Sequence, residues 1–472
     1  MKPIFIFGFI YMIRRRLLPA ILIFLMAISV AGIGYAQSSV KKKSKKELHN
    51  EKHEKKVARR QTKALEKAKR KELKKKEKQE HKKQKREQKR SRKKGGGKVI
   101  AGEATMLKQQ VVLPHSQMKP RYRIDVLAHM YLDEVKNYKI PDKALPGIAF
   151  YEGVTIAADS LKKAGFKIDI YVHDVASAAE SVDMLVRKNM LDSSDLIIGA
   201  VQSHDIPVLA EYAKNKKVNF ISALSPADAG VRDNPFFTLL QPSLKSHCEW
   251  IVADVAKKFP GMKVGLLYRT SFAADSIAYK YLIGSAGDGT RFNQVLCNTL
   301  PRRKNLIGIF DTSKPNVIIV PVLDFSYADS LLNRVSHDFP ETHFEVYGMP
   351  SWNSISNLRK EEAFPNLSIN VTVPFNIDLS VPVVDYVNRV YKKDYAGRPT
   401  EYVYRGYEAM YWYANLLKQY GNIFNEKYSD NASAPFTKFE VKPQWDKNGQ
   451  LLFNENTHIF VTKYEGGTYK TE

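Results

Sequence analysis

From position 121 onward, short runs rich in β-branched and aromatic residues alternate with stretches whose apolar positions recur at helical spacing. That alternation predicts βαβ units and a parallel sheet. Residues 122–127 predict the first strand, and Phe150, Gly153, Val154, Ala157 and Leu161 share one helical face that stops at Gly165. A strand at 167–172, a helix over 176–189, a strand at 195–199, a helix opened by Pro207 and a strand at 218–222 follow. A second set repeats the architecture. Cys248, Ile251, Val252 and Val255 form a helix ending at Pro260, with strands at 263–268, 294–298, 317–322, 343–348 and around 369–373. Helices over 383–395 and 401–420 come next. Strands at 436–441 and 458–464 then flank Trp445-Asp446-Lys447-Asn448-Gly449, in which Asn-Gly is a tight-turn signal.

Composition changes the picture mainly before that region. The chain of 472 residues carries a formal charge of +26, which suggests a polyanion partner until it is divided along the sequence. Residues 41–98 hold 29 Lys and Arg against 8 Glu, so this segment and the basic residues before it account for all but one of the net charges. The part after it has no charge-based reason to seek nucleic acid. Between 41 and 94 there is neither Pro nor Gly and little apolar content, which predicts a solvated, partly helical arm, and Gly95-Gly96-Gly97 ends it. That arm contains no aromatic residue to stack bases, so nucleic acid is not expected as its partner.

Residues 1–36 read as a secretory signal: Arg14-Arg15-Arg16, an apolar run over 17–34, then small residues at Gly34 and Ala36. An uncleaved anchor is the competing reading, and the lysines at 41–43 oppose translocation by the positive-inside rule. Cys248 and Cys297 permit one disulfide or two buried free thiols. The sequence holds no Gly-Lys-Ser/Thr phosphate loop, HExxH, C-x-x-C or G-x-S-x-G, and its histidines show no paired metal spacing. An enzyme is not expected, nor is a cofactor or metal.

Several segments, in order, resemble the type I solute-binding family that includes the branched-chain amino acid binding proteins. Phe150-Tyr151-Glu152-Gly153 with Ala157-Ala158-Asp159 is similar to the family's first helix, and Gly199-Ala200-Val201-Gln202-Ser203 to its Gly-Pro-x-x-Ser turn, with Ala200 where Pro is usual. Asn234-Pro235-Phe236-Phe237 through Gln241-Pro242-Ser243 resembles the first crossover between lobes. Tyr404-Arg405-Gly406-Tyr407-Glu408-Ala409 resembles the late Gly-Tyr-Asp-Ala helix, and the segment from Trp445 to Gly467 the terminal hairpin.

The resemblance implies an α/β fold of two Rossmann-like lobes joined by a multi-strand hinge. Its expected division is a signal peptide at 1–36, the lysine-rich arm and Gly linker at 37–98, the first lobe at 120–240 and 373–435, the second at 241–372, and a C-terminal hairpin at 436–472 docking on the second. It also implies capture of a small polar solute between the lobes in the periplasm or cell envelope, for an ABC-type permease or a sensor. Carried over by position, the ligand residues are Ser203, Ser222, Leu224 and Ser225 from the first lobe, and Phe272 and Asp324 from the second. Simpler roles stand beside these: Ser203 and Asp324 as helix caps, Ser225 as a turn residue and Phe272 as an ordinary helix aromatic. Tyr347-Gly348-Met349-Pro350-Ser351 offers no acid to hold an amino group. The alternative is an envelope scaffold whose basic arm at Lys41–Lys94 holds an anionic polymer.

Overall fold

A computed structural model describes residues 108–287, 291–311 and 314–471; the expected signal at 1–36, the expected lysine-rich arm and the Gly95–Gly97 linker lie outside the described residues. The strands and helices alternate as the periodicity requires. The first half runs β1 (Tyr122–Ala128), α1 (Leu145–Lys163), β2 (Ile168–Asp174), α2 (Val182–Arg187), β3 (Leu196–Ala200), α3 (Ile206–Lys216), β4 (Asn219–Ser222) and β5 (Phe237–Leu239). It continues with α4 (Leu244–Lys258), β6 (Val264–Tyr268), α5 (Ala273–Ser285), β7 (Phe292–Leu296), α6 (Arg303–Leu306), β8 (Asn316–Ile319), α7 (Phe325–Asp338), β9 (Phe344–Gly348) and β10 (Leu367–Val373). The remainder is α8 (Pro382–Tyr395), α9 (Glu401–Tyr420), β11 (Val441–Trp445), β12 (Leu451–Asn456), β13 (Phe460–Glu465) and β14 (Thr468–Thr471).

Two seven-stranded mixed sheets result, in the orders β11-β12-β5-β4-β3-β1-β2 and β14-β13-β10-β9-β8-β6-β7. Within each, the strands carrying helical crossovers are parallel, so their carboxyl ends lie along one edge. Helices bury both faces of the first sheet: Phe150, Ile198 and Trp412 pack on one side, Leu127, Ile197 and Phe220 on the other. The second sheet has its own core around Leu266, Ile318 and Val346. The helices α8 and α9 pack against the first core although β10, just before them, belongs to the second sheet. The chain therefore passes between the sheets three times, after β5, after β10 and after β12.

The contact between α1 and α9 depends on two glycines. A Cβ on Gly153 of α1 would lie 1.9 Å from the carbonyl oxygen of Val403, and one on Gly406 of α9 would lie 2.0 Å from that of Phe150. Only hydrogen at both positions lets these backbones touch.

Three local expectations are corrected. The helix predicted over 176–189 is confined to Val182–Arg187, because the Asp174 carboxylate accepts the Ala176 amide at 3.1 Å and its own amide donates to Glu180, which holds the preceding residues in turns. The predicted strand at 436–441 is irregular up to β11, and Leu451–Asn456, which had no predicted strand, pairs with it across the Asn-Gly turn. There the Asp446 carboxylate accepts the amides of Asn448 and Gln450 at 2.8 and 2.9 Å and closes the turn. Finally, the C-terminal segment does not dock as one hairpin on the second lobe: β11 and β12 extend the first sheet, and β13 and β14 the second. Cys248 and Cys297 are buried free thiols, and burial pushes both up to about 12, which leaves them unreactive.

Candidate functional site

In an open α/β sheet the loops after the strands gather at the carboxyl edge, where helix N-termini also point, and this is where ligands bind. On the first sheet the loop after β1 is held by a single carboxylate. Asp174, at the end of β2, accepts the amides of Met130 (2.9 Å), Tyr131 (3.2 Å) and Leu132 (2.8 Å). Those bonds support Tyr131 in a left-handed conformation, φ 51° and ψ 40°, at a cost of about 1 kcal/mol for a residue with a side chain. The Tyr131 hydroxyl then accepts from the Gln202 amide at 2.7 Å, which ties the loop after β1 to the loop after β3.

Beside that link, three groups converge. His129 Nε2 lies 3.4 Å from Asp205 Oδ2, His204 Nε2 lies 3.4 Å from Asp205 Oδ1, and the two imidazole rings are 6.0 Å apart. The His129 side chain is 10% exposed and that of His204 69%. Burial holds the His129 imidazole below its ordinary pKa despite the Asp205 carboxylate, so it is neutral at pH 7. Asp205 is the residue before α3, and its carboxylate also accepts the backbone N–H of Gln202 at 3.3 Å.

After β4, Arg405 reaches across from α9, donating to the Ala223 carbonyl oxygen at 3.3 Å, with its guanidinium 5.3 Å from the Phe375 ring. A half-buried cation thus stands at the carboxyl end of β4.

The second sheet presents a different arrangement. Arg269, directly after β6, has a side chain only 3% exposed; it pairs with Asp275 at 2.6 Å and lies 3.4 Å from Asp324. Its guanidinium is covered by Phe272 at 4.1 Å and Tyr327 at 4.4 Å. Asp275 in turn accepts the Leu323 amide at 2.8 Å, which fixes the loop after β8. The cation is thus enclosed by groups of its own lobe.

The residues singled out from sequence fall into three situations. Ser203 is exposed on the loop after β3, next to His204, and does not cap α3, whose first-turn amides receive no side-chain cap. Ser222 is wholly buried within β4, its Oγ without a hydrogen-bond partner among the described residues, so it faces the interior rather than the edge. Leu224 packs half-buried against the first core, and Ser225 Oγ accepts the Ala227 amide at 3.2 Å as a turn residue. Phe272 is 54% exposed while covering Arg269. Asp324 caps α7, accepting the amides of Ser326 and Tyr327 at 3.2 and 3.1 Å. For His129, His204, Asp205, Arg269 and Arg405 the sequence carries one signal, their place just after predicted strands or inside the Tyr404–Ala409 segment.

This architecture, two mixed seven-stranded α/β sheets bridged by three chain crossings, is the type I periplasmic-binding-protein fold of the substrate-binding components of branched-chain amino acid ABC transporters. A branched-chain amino acid ABC transporter periplasmic ligand-binding protein from Burkholderia xenovorans is similar with a TM-score of 0.51 at 14% identity, over 74% of this chain and 94% of that one. An ABC transporter substrate-binding protein from Desulfitobacterium hafniense, in complex with Leu, has a TM-score of 0.48 at 15% identity, over 75% of this chain and 100% of that one. Full-length LpoA from Haemophilus influenzae has a TM-score of 0.50 at 13% identity, over 76% of this chain and 60% of that one. No protein-family model and no curated protein sequence matches.

Proposed function

We propose that the protein is an exported receptor that captures a small polar solute between its two lobes and presents the closed form to a membrane permease or a sensor. The observation that carries this reading is the set of polar side chains at the carboxyl edge of the first sheet, where His129, Gln202, Ser203 and Arg405 stand on loops after β1, β3 and β4 or beside them. Arg405 favours a solute with an anionic group, since a half-buried guanidinium gains most from a carboxylate or phosphate that can meet it bidentately. Ser203 and Ser225 supply hydroxyls from the first lobe, and Phe272 and Asp324 complete the site from the second on closure. Contacts made with both lobes only when shut supply the differential affinity that moves the equilibrium from open to closed. Export rests on the leader at 1–36; among the described residues no helix is long and apolar enough to cross a membrane.

A second reading is favoured by one observation. The charged group at the second sheet's edge, Arg269, is already satisfied by Asp275, Phe272 and Tyr327. A lobe so closed suits an envelope scaffold whose arm at 41–94 holds an anionic polymer through lysine contacts that weaken with salt. A thermal-shift screen against carboxylates, amino acids, short peptides, nucleosides, sugars and cell-wall fragments separates the two. Capture predicts a saturable upward shift for one class, about 2.7 kcal/mol at a hundredfold excess over Kd. Silence across the panel from a folded sample, with salt-sensitive polymer binding lost on deleting 41–94, would establish the scaffold instead.

A further inference from the structure

The geometry points to a divalent transition-metal site of the zinc class formed by His129, His204 and Asp205 at the carboxyl edge of the first sheet. One ligand atom from each residue can be chosen so that all three lie within 4.8 Å of one another. The 3.4 Å separations between each imidazole Nε2 and the Asp205 carboxylate exceed the 2.7–3.2 Å of an N–H to O hydrogen bond. Each is close to the spacing of about 3.3 Å between two ligand atoms that sit about 2.0–2.1 Å from a tetrahedral zinc ion, His129 standing against Oδ2 of the carboxylate and His204 against Oδ1. The set fits that metal class in chemistry as well, since two imidazoles and one carboxylate with an open fourth position are borderline-soft ligands, unlike the all-oxygen cages that calcium and magnesium select.

A second observation points the same way. His129 is nine-tenths buried, and its Nδ1 has no hydrogen-bond partner among the described residues. With Nε2 making only the 3.4 Å approach to Asp205, a metal bond at Nε2 would offset part of the desolvation cost of burying this imidazole. Its position is also fixed in advance. Asp174 pins the loop that follows it, and the helix α1 packs so closely that a Cβ on Gly147 would lie 2.2 Å from the His129 carbonyl oxygen. His204, by contrast, is exposed and free to swing onto an arriving ion, which leaves a route in from solvent. The inference stands on these side chains alone and does not depend on solute capture.

The test uses the full chain, stripped with a chelator and then titrated with zinc by calorimetry and with cobalt as a visible probe. One zinc per chain and the ligand-field bands of tetrahedral cobalt are the expected results. His204→Ala, at an exposed position that leaves the fold intact, should weaken zinc at least tenfold and abolish the cobalt bands, and Asp205→Asn should do the same. Zinc affinity unchanged in both variants, or no saturable binding by the folded wild-type chain, would overturn the site. Because no solute is present, a failure here leaves solute capture untouched, and a failed solute screen leaves the metal site untouched.

Discussion

Glu408 lies in the middle of α9 with 2% of its surface exposed, and its carboxyl accepts the Thr437 amide at 2.6 Å. Burial dominates over that hydrogen bond and over the nearby Arg405, and raises the carboxyl to about 8. The folded chain therefore keeps a proton that the unfolded chain releases at the ordinary value near 4.5. Stability from this residue is fully present below about pH 4.5, falls as the pH rises, and is lost above about 8, a total on the order of 3–5 kcal/mol. Glu408→Gln keeps a carbonyl oxygen for Thr437 and removes the titration. Chemical denaturation at a series of pH values should show the variant more stable than wild type above pH 8 and nearly equal to it near pH 4.5. Sequence located this residue as a Glu in place of the Asp of the family's late helix, but not its protonation, which depends on packing from residues far along the chain. The same limit hid His129 and His204. They meet because β1 and β3 are neighbours in the sheet, which spacing within the sequence does not reveal. Ser222 is a different case: all four residues of β4 are buried, so the strand carries no alternation to show which side faces inward.

The pairing of α1 with α9 joins the helices of the first lobe at backbone-to-backbone distance. Gly153 and Gly406 stand where the helix backbones touch, and neither has room for a methyl group. Gly406→Ala must push the helices apart or distort both, which costs about 1–3 kcal/mol or more by overpacking, despite the gain in helix propensity. A urea midpoint lowered relative to wild type is expected, and Gly153→Ala should behave alike; an unchanged midpoint would show that the helices separate freely. These glycines were legible within the segments that resemble the family, although their physical role was not. Helix α9 spans the limits expected from its sequence, because Gly421 follows a long apolar face. The helix expected over 176–189 is longer than α2 because the residues before Val182 are held by Asp174 and Glu180, an arrangement that only the folded loop creates.

Across the whole molecule, the order of segments was enough to expect two α/β lobes, since each βαβ unit carries its own periodic signature. The distribution of the last strands between the two sheets was not legible. Strands β11 to β14 are short, and their partners β5 and β10 lie far back along the chain, so pairing was decided by tertiary packing. That distribution gives the molecule three crossings between sheets, and a few residues at each could absorb the dihedral changes of closure. Small-angle X-ray scattering on the folded protein, with and without each solute of the thermal-shift panel, tests capture by closure most directly. The account predicts a saturable fall in the radius of gyration with the solute class that raises the melting temperature, and with no other. A solute that stabilises the protein while leaving the radius of gyration unchanged would contradict it.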